Sequence, residues 1–403
     1  MKVYLVGGAV RDQLLGYPVV ERDWVVVGGT PGDLLRQGFQ QVGRDFPVYL
    51  HPETREEYAL ARTERKQSAG YYGFTCDFNP SVTLEDDLMR RDLTINAMAM
   101  DEHGALIDPY HGQADLQQKI LRHVSPAFIE DPVRVLRVAR FAARYYHSGF
   151  RLAEETRCLM VDMVQKGELA HLVPERVWQE WEKSLREKNP EQFILVLRCC
   201  GALSVVIPEL DVLFGIPNDP AVCPRIDTGL QALDALTQTA VLYESPQPRF
   251  SALWHGIGNA TTPVNHWPLH QPTRDSIQQQ VRALCERLRI PKTYEHLASM
   301  TAYFYRILPC LDELDAETIV ATLEQCDAFR RPEVMSQLVW LADVIERRET
   351  HKQAKNWLIL MDICGKISAK ALIAEGCQGE DIKKGLHQKR VDAVAHWIIT
   401  HEK

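Results

Sequence analysis

The stretch that decides the fold reads LVGGAVRDQLLG over residues 5–16, and ERDWVVVG follows it over residues 21–28. A short apolar run ends at Gly7 and Gly8, and the residues after them have helical spacing, so the segment predicts a strand, a tight turn and a helix. Glycines at such a turn let backbone N–H groups approach a phosphate at the positive end of a helix. Arg11 follows one turn into the helix, where its guanidinium can form forked hydrogen bonds with phosphate oxygens.

Two carboxylates stand at the start of the second stretch. Glu21 and Asp23 are two positions apart at the beginning of a predicted strand, so their side chains project from the same face. Carboxylates in this arrangement can hold a pair of Mg²⁺ ions that align an attacking hydroxyl and neutralise a pyrophosphate leaving group. Either the glycine turn or the carboxylate pair alone is usually structural. Together, with Arg11 between them, they indicate chemistry on a nucleotide phosphate far more specifically.

The wider sequence divides into a short α/β part and a long helical part. Alternating segments near residues 47–50 and 57–62 predict further strands of the same sheet. Residues 63–84 have no clear period and predict a long mobile loop, which is uncommon unless it is functional. From about residue 126 helical spacing dominates to the end of the chain, with prolines and glycines between the segments. The sequence therefore predicts a small α/β head on an all-helical remainder.

Composition limits the class of protein. The 403 residues are enough for two or three domains, and 45% hydrophobic with 25% charged residues is typical of a soluble globular chain. The sequence has no apolar run of membrane-spanning length and no secretory signal pattern, and its ten cysteines include no Cys-x-x-Cys pair. These features predict a cytoplasmic protein with reduced thiols and no zinc site. The net charge of −8 argues weakly against nucleic-acid binding, unless the basic residues are clustered.

A basic helix is predicted after residue 130. The segment EDPVRVLRVAR, residues 130–140, begins with acidic residues and a proline, which is a favourable helix entry. Arginines recur at intervals of three, three and four and form one stripe: Arg134, Arg137, Arg140 and Arg144. A stripe of this kind is often a solvated surface, so on its own it leaves a structural and a nucleotide-binding interpretation open.

These motifs resemble those of class II tRNA nucleotidyltransferases and bacterial poly(A) polymerases. The glycine turn, the residues around Asp23 and the segment RRDLTINA at residues 90–97 follow the family signature, and the similarity is greatest to gammaproteobacterial CCA-adding enzymes. The resemblance runs through at least residue 215 and more weakly to about residue 290. It implies a nucleotidyltransferase head with a mixed sheet, a helical neck that selects the nucleotide, and a helical body and tail. Their predicted bounds are 1–122, 123–215 and 216–403.

The resemblance also implies roles for individual residues. In the family a carboxylate pair holds the catalytic metal ions, which corresponds here to Glu21 and Asp23, and a third acidic residue corresponds to Glu57. The family pattern has aspartate where this chain has Glu21. The longer side chain can still ligate a metal, but one extra methylene moves the ligand by more than an active site normally tolerates. We therefore expect Mg²⁺-dependent activity, with the rate as the open question.

The same resemblance assigns the nucleotide contacts. Asp131 and Arg134 would read the Watson–Crick edge of the base, because a carboxylate accepts from the exocyclic amine that C and A carry there and G and U do not. The remaining contacts with the nucleotide are implied for residues of the turn, of the second motif and of the arginine stripe. They are Gly8, Arg11, Arg91, Arg137 and Arg140. In the second motif, Asp92 is expected to cap a helix that begins at Leu93.

The segment between residues 63 and 84 bears on the product. In the family a mobile loop at this place is needed to switch from CMP to AMP addition, and enzymes that add only two cytidines have lost it. The loop is full length here and contains Arg65, Lys66, Tyr71, Tyr72 and Phe74. This favours the complete CCA product.

The region from about 226 to 290 resembles a metal phosphohydrolase domain that many relatives carry. The His-Asp pair of such domains corresponds to His255 and Gly256, and an earlier histidine corresponds to Gln231. His266 and His270 remain, but a metal site without its aspartate and one histidine is not credible. We therefore predict no phosphatase or phosphodiesterase activity.

The helical remainder is expected to bind the acceptor stem of tRNA, which is A-form, through phosphates and 2′-hydroxyls. Candidate contacts are Lys292, Arg330 and Arg331. The leading prediction is thus an enzyme that adds CCA to tRNA from CTP and ATP, without a membrane or an obligatory protein partner. A poly(A) polymerase and a weakened tRNA-binding paralogue are the alternatives. The first usually carries a strongly basic extension, and the second would have lost several motif residues rather than one.

Overall fold

The computed structural model describes residues 1–43, 47–66, 74–220, 227–348, 350–374 and 378–401. The chain forms two compact units, Met1–Pro208 and Glu209–Lys403. This partition does not decide the predicted boundary between head and neck near residue 122, which stays a prediction.

All strands of the described residues belong to the first unit. They are β1 (Lys2–Val6), β2 (Asp23–Val27), β3 (Gln40–Val42), β4 (Val48–Leu50), β5 (Glu57–Leu60), β6 (Thr63–Lys66), β7 (Phe74–Asp77), β8 (Ala99–Met100), β9 (Leu106–Ile107), β10 (Ile120–Leu121) and β11 (Arg151–Leu152). Seven of them form a sheet in the order β3-β4-β5-β2-β1-β8-β9. Only β2 and β5 run parallel in this sheet, so the predicted mixed sheet is confirmed.

The helices of the first unit surround this sheet and continue beyond it. They are α1 (Gly8–Leu14), α2 (Pro31–Arg36), α3 (Leu84–Met89), α4 (Gly112–Gln118), α5 (Val133–Tyr145), α6 (Glu154–Gln165), α7 (Pro174–Leu185), α8 (Glu191–Cys199) and α9 (Leu203–Val206). Helix α5 packs against both α7 and α8. Its apolar side chains are buried on several sides, among them Val135, Leu136 and Val138 at 0% exposure, so the packing fixes the direction of its arginine side chains.

One expectation about the head was wrong. Residues 63–66 and 74–77 form the antiparallel hairpin β6–β7, with Thr63 opposite Asp77, rather than an irregular loop. The two strands read TERK and FTCD and lack apolar alternation, so periodicity gives no signal for a ladder made by backbone hydrogen bonds. Residues 67–73, which include Tyr71 and Tyr72, lie outside the described part of the chain. The predicted role of this segment in AMP addition stays a prediction.

The second unit is helical throughout its described residues. After α10 (Pro208–Asp211), which begins one residue before the unit, its helices are α11 (Thr228–Leu242), α12 (Pro246–Leu253), α13 (Arg274–Arg287), α14 (Lys292–Phe304), α15 (Ala316–Gln325), α16 (Pro332–Ile345), α17 (Lys352–Gly365), α18 (Lys370–Ala374) and α19 (Glu380–His401). The core contains Phe304, Leu323 and Trp357, all at most 1% exposed. The Trp357 indole is satisfied because its Nε1 donates to the Leu308 carbonyl at 2.7 Å. The predicted helical remainder is confirmed.

Candidate active site

A cavity of about 610 Å³ opens in the first unit between the glycine turn, the start of β2 and helix α5. Its volume lies in the range of small-molecule sites. Nine of the ten residues predicted for the site line it, and Glu57 is the exception. The nine are Gly8, Arg11, Glu21, Asp23, Arg91, Asp131, Arg134, Arg137 and Arg140. The structure brings together residues from four separate sequence motifs.

The cavity is strongly positive although the whole chain is acidic. Among the described residues, nine arginines and four carboxylates line it. The arginines are Arg11, Arg62, Arg90, Arg91, Arg134, Arg137, Arg140, Arg144 and Arg176. A concave surface of this charge concentrates and binds a polyanion such as a nucleoside triphosphate. The net charge of −8 therefore does not exclude a phosphate ligand, because the arginines are clustered.

The stripe on α5 is part of this cavity rather than a solvated surface. Arg134 and Arg140 are only 6% and 8% exposed, whereas Arg137 is partly exposed. The two buried arginines are therefore not part of a solvated surface, and their predicted contact with the nucleotide stays a prediction. Their burial is compatible with charge because hydrogen-bond acceptors face them: the Ala127 carbonyl accepts from Arg134, and the Glu180 carboxylate accepts from Arg140 at 2.6 Å.

The carboxylates are positioned by the parallel pairing of β2 and β5. Asp23 and Glu57 are the first residues of these strands and are register partners, so both lie at the same end of two neighbouring strands. Glu57 lines a second cavity, of about 510 Å³, together with Glu21 and Asp23. No three His, Cys, Asp or Glu side chains among the described residues converge on a common metal position. Glu21 and Asp23, which line both cavities, are thus the better candidate pair for a metal.

The environment of Asp23 suits a cation. Desolvation by the surrounding protein raises the pKa of Asp23, the positive charge of Arg91 lowers it, and the negative charge of Glu21 raises it, with a net upward shift. Two carboxylates that repel each other at the mouth of a cavity favour a bound divalent ion, since the ion offsets both the repulsion and the lost solvation. The oxygen donors present are the type that Mg²⁺ prefers.

The glycine turn makes a close contact with the second motif. Gly7 has a φ of +70°, and a Cβ at this position would lie 2.9 Å from Nη1 of Arg91. Both the backbone conformation and the space thus require glycine at this position. Sequence reasoning selected Gly8, whose φ is not in the left-handed region, so the residue that needs to be glycine for conformational reasons is its neighbour.

The arginines of the second motif are anchored by a buried acid. Asp87 is fully buried and accepts from Nη2 of Arg90 at 2.6 Å and from Nη2 of Arg91 at 3.1 Å. Burial alone would raise the pKa of Asp87, but the charges of the two arginines outweigh it, so this pKa lies below its usual value. The Arg91 guanidinium is therefore held in place before any ligand binds.

A second buried acid links the same motif to α5. Asp92 accepts from Nε of Arg137 at 2.7 Å, from Nδ2 of Asn96 at 3.0 Å and from the Leu93 N–H at 2.8 Å. Burial would raise the pKa of Asp92, but the charge of Arg137 and these hydrogen bonds hold it well below its usual value. The expected helix cap was wrong, since only a short 3₁₀ helix begins here, at Thr94, and Asp92 supports the arginine instead.

The two residues predicted to read the base are held differently. Asp131 accepts from both terminal nitrogens of Arg176, at 3.2 and 2.9 Å, and from the Val133 N–H at 3.1 Å. A carboxylate has about four acceptor sites, so one remains for a ligand. Nη1 of Arg134 donates to the Ala127 carbonyl. The side chains stand at the start of α5 with defined orientation, and their predicted role in base reading stays a prediction.

Arg11 is fixed from three sides. Its Nε donates to Oδ1 of Asp12 at 2.9 Å, its Nη1 donates to Oδ1 of Asn96 at 2.5 Å, and its guanidinium lies 5.3 Å from the centre of the Phe141 ring.

The sequence did not identify Asp87, Asn96, Arg176 or Glu180 as part of the site. Arg176 and Glu180 are four positions apart on α7, which is a signal for one helix face. Their partners, Asp131 and Arg140, are 40 or more residues away in the sequence, so the spacing within α7 does not predict which residues they contact.

The second unit contains the positions matched to a phosphohydrolase metal site. A Cβ on Gly256 would lie 2.6 Å from Cγ2 of Thr228, so the backbone there has no room for the aspartate of such a site. Gln231 is buried and accepts from Asn218 at 3.2 Å, and Asn218 in turn accepts from the Thr228 hydroxyl at 2.8 Å. Burial lowers the pKa of His255 to about 4, so this ring is neutral. These residues fit a hydrogen-bonded polar core and do not fit a metal site.

Two family models match the N-terminal part of the chain. The "Poly A polymerase head domain" matches residues 3–122, and the "Probable RNA and SrmB- binding site of polymerase A" matches residues 149–214. A curated relative, the "Multifunctional CCA protein" of Legionella pneumophila strain Paris, is 57% identical over 398 residues, which cover 98% of this chain and 97% of the relative.

Solved structures share the fold. The apo form II of a CCA-adding enzyme has a TM-score of 0.68 at 21% identity and covers 99% of this chain and 91% of its own. The Bacillus stearothermophilus CCA-adding enzyme in complex with CTP has a TM-score of 0.61 at 22% identity, with coverage of 99% and 93%. No helix in the described residues has the length and apolar character needed to cross a membrane.

Proposed function

Since this chain belongs to the class II CCA-adding nucleotidyltransferase family, we propose that it adds the 3′-terminal CCA of tRNA, without a template, from CTP and ATP. The identity of 57% over nearly the whole chain makes the resemblance much stronger than a shared fold. The observation in the structure that carries the proposal is the arginine-lined cavity, whose lining also includes Glu21 and Asp23. It provides a polyanion site and a candidate metal pair within one unit.

The reaction is a displacement at the α-phosphorus of the nucleotide. The 3′-hydroxyl oxygen of the tRNA forms a bond to this phosphorus and gives up its proton to solvent water. The bond from this phosphorus to the oxygen that bridges to the β-phosphate breaks, and pyrophosphate leaves with that oxygen and its electron pair. Arg11 and Arg91 are held by Asn96 and Asp87 in fixed positions at the cavity wall. They would stabilise the charge on the triphosphate and on the leaving pyrophosphate without reorganisation during the reaction.

Glu21 and Asp23 would hold divalent metal ions, and we propose Mg²⁺. A bound Mg²⁺ would lower the pKa of the attacking hydroxyl and neutralise the departing pyrophosphate. The upward pKa shift of Asp23 is in the direction that a bound cation would reverse. Glu57, the register partner of Asp23, would supply a third catalytic carboxylate.

Base selection would depend on Asp131 and Arg134 at the start of α5. The carboxylate would accept from the exocyclic amine of cytosine or adenine, and the guanidinium would donate to a ring nitrogen or carbonyl oxygen. Arg137 and Arg140, further along the same helix, would contact the triphosphate or the ribose. The switch from CMP to AMP would need the segment of residues 63–84.

The test uses purified protein with tRNA that ends before CCA, Mg²⁺, and CTP, ATP or both, and the products are sequenced. We expect two cytidines with CTP alone and cytidine, cytidine, adenosine with both nucleotides. Addition of AMP alone to unrelated RNA would indicate a poly(A) polymerase instead. Bound but unextended tRNA would refute the enzyme and indicate a tRNA-binding paralogue. We further propose that the protein acts in the cytoplasm, where fractionation would detect it.

A further inference from the structure

A third cavity, of about 480 Å³, lies on the face of the sheet away from the carboxylate pair. Successive residues of a strand point to opposite faces, so Trp24 in β2 and Tyr58 in β5 project away from the side of their neighbours Asp23 and Glu57. Trp24 and Tyr58 line this cavity and neither of the other two. The cavity is therefore separate from the candidate active site.

Aromatic side chains form a row along one wall of this cavity. The rings of Trp24 and Tyr58 stack with centroids 5.6 Å apart, and those of Tyr58 and His51 stack at 5.7 Å. Phe39 packs edge-on against Tyr58 at 4.9 Å and against His51 at 5.2 Å. The indole of Trp24 also donates from Nε1 to Oε2 of Glu56 at 2.9 Å. The rings thus hold one another in place, and the wall is formed before any ligand binds.

The cavity continues beyond the end of this row. In the sheet, β2 lies between β5 and β1, so Tyr58 is on one side of Trp24 and β1 is on the other. Val3 of β1 lines the same cavity, as does Glu102 in the turn between β8 and β9. A flat ring bound there would stack on Trp24 as the next member of the row, against an apolar surface that includes Val3 and Val26.

The charge of the lining selects the kind of ring. Among the described residues that line the cavity there is one carboxylate, Glu102, and no lysine or arginine. His51 adds no charge, because its Nδ1 accepts from the N–H groups of Glu53 and Thr54 at 3.3 and 3.2 Å, which leaves the proton on Nε2. Glu102 lies 3.6 Å from His103 in an exposed and therefore weak pair, which a ligand can replace. A phosphate would meet a negative charge here, whereas an amino group could donate to it.

We propose that this cavity binds a base or nucleoside of the adenine class, a planar nitrogen heterocycle that carries an amino group and no phosphate. The ring stacks on Trp24, and its amino group donates to Glu102. This ligand differs from the nucleoside triphosphate proposed for the arginine-lined cavity, and its binding leaves that cavity free for CTP.

The experiment titrates the full chain with adenosine by calorimetry, without CTP and with CTP in excess. We expect one adenosine per chain in both conditions, with Kd values that agree within about twofold, because the two cavities are separate. Uridine should bind at least about threefold more weakly, since its ring lacks the amino group that donates to the carboxylate. AMP should bind no more tightly than adenosine, because the lining supplies no cation for its phosphate.

Substitutions in the lining separate the two contacts. Trp24→Leu removes the stacking surface and should raise the Kd for adenosine at least about tenfold, whereas Trp24→Phe keeps a ring and should recover part of the affinity. Glu102→Ala removes the acceptor and should raise the Kd about threefold to tenfold. The control is Glu85→Ala, because Glu85 is exposed on α3, which packs against the other face of the sheet, and lines none of the three cavities. Thermal unfolding checks that each variant is folded.

Three outcomes would overturn the inference. Adenosine that does not bind at millimolar concentration would leave the cavity without this ligand, and adenosine displaced by CTP would belong to the arginine-lined cavity. An unchanged Kd in folded Trp24→Leu and Glu102→Ala proteins would place the ligand elsewhere. Uridine that binds as tightly as adenosine would remove the contact with Glu102. These titrations contain no tRNA, so their outcome is independent of whether the unsubstituted chain extends tRNA.

Discussion

Asp92 and Arg137 are 45 positions apart in the sequence and are joined by a hydrogen bond of 2.7 Å from Nε of the arginine to Oδ2 of the acid. The acid belongs to the motif that follows α3, and the arginine belongs to α5. The same guanidinium lies 3.9 Å from Glu180 on α7. The Arg137 guanidinium thus links α5 to the second motif and to α7, and the position of the arginine stripe depends on residues outside α5.

We expect the Asp92→Asn variant to lose activity, and we expect its free energy of unfolding to depend less on pH in the acid range. The amide keeps the shape but removes the charge that holds Arg137, so kcat/KM for CTP and ATP should fall at least tenfold. Because the folded-state pKa of Asp92 is below its usual value of 3.8, its stabilisation is fully present above about pH 4 and is lost as the pH falls further. Urea unfolding at pH 7 and pH 3 should show a smaller acid-dependent loss in the variant. An equal loss in both proteins would contradict the assignment.

The Gly7→Ala substitution should damage the site more than its backbone strain explains. A methyl group there meets Arg91 at 2.9 Å, and the positive φ adds about 1–2 kcal/mol of strain. Gly16→Ala is a matched control, because Gly16 has a φ of +71° and nothing lies within 4 Å of its Cβ position. We expect both variants to lose stability in thermal unfolding, and only Gly7→Ala to lose most of its kcat. Equal kcat values in the two would show that the contact with Arg91 has no role.

Glu21→Asp tests the departure from the family pattern. We expect this variant to keep or exceed the original activity, because it restores the family's carboxylate, whereas Asp23→Asn should reduce kcat by at least a hundredfold. The informative measurement is the Mg²⁺ concentration for half-maximal rate, which should change in Glu21→Asp. Removal of divalent ions with EDTA should abolish activity, and added Mg²⁺ should restore it. An Asp23→Asn enzyme with normal kcat would contradict metal binding at this pair.

Arg176 should influence which nucleotide is accepted. Its forked contact with Asp131 fixes the carboxylate that is proposed to read the base. In Arg176→Ala that carboxylate is free to rotate, so the preference for CTP over UTP should fall by about tenfold or more in competition assays. Arg186→Ala removes an exposed arginine that pairs with Glu182 near the end of the same helix and serves as the control. A drop in overall rate with unchanged preference would restrict Arg176 to a structural role.

Glu180 should contribute much more to stability than its neighbour Glu182. Glu180 is 6% exposed and pairs with the buried Arg140 at 2.6 Å, so Glu180→Ala leaves an uncompensated buried charge at a cost of about 3–5 kcal/mol. Glu182 makes an i, i+4 pair with Arg186 on the surface of the same helix, and Glu182→Ala should cost no more than about 1 kcal/mol. Urea unfolding of both variants would test this difference. Equal costs would mean that Arg140 finds another partner or solvent.

The sequence alone predicted those parts of the fold and site whose signal lies within a few neighbouring residues. The run LVGGAVRDQLLG contains its own strand, turn and helix signals, and the intervals of three, three and four residues predicted one stripe of Arg134, Arg137, Arg140 and Arg144. The residues that fix those arginines were not predictable in this way. Asp87 and Glu180 look like ordinary helix carboxylates in the sequence, and their role depends on burial and on partners brought close only by tertiary packing.

The strands of the head also divide into those with a local sequence signal and those without one. Val25 and Val26 in β2 are buried and β-branched, which is a signal within five residues. The hairpin β6–β7 has no such signal, because the sequences TERK and FTCD lack apolar alternation. The conformational requirement for glycine at Gly7 could not be predicted, since φ and the distance to Arg91 are properties of the folded chain.

The polar core around Gly256 has a consequence for how this lineage can change. To form a phosphohydrolase site, Gly256 would have to become aspartate, but the new Cβ would collide with Thr228, which also donates to Asn218. Gln231 would have to become histidine within the same hydrogen-bonded group. Either replacement alone would disrupt these contacts without completing a metal site. A phosphohydrolase site at these positions would therefore need several substitutions at once, and each single substitution would cost stability without adding activity.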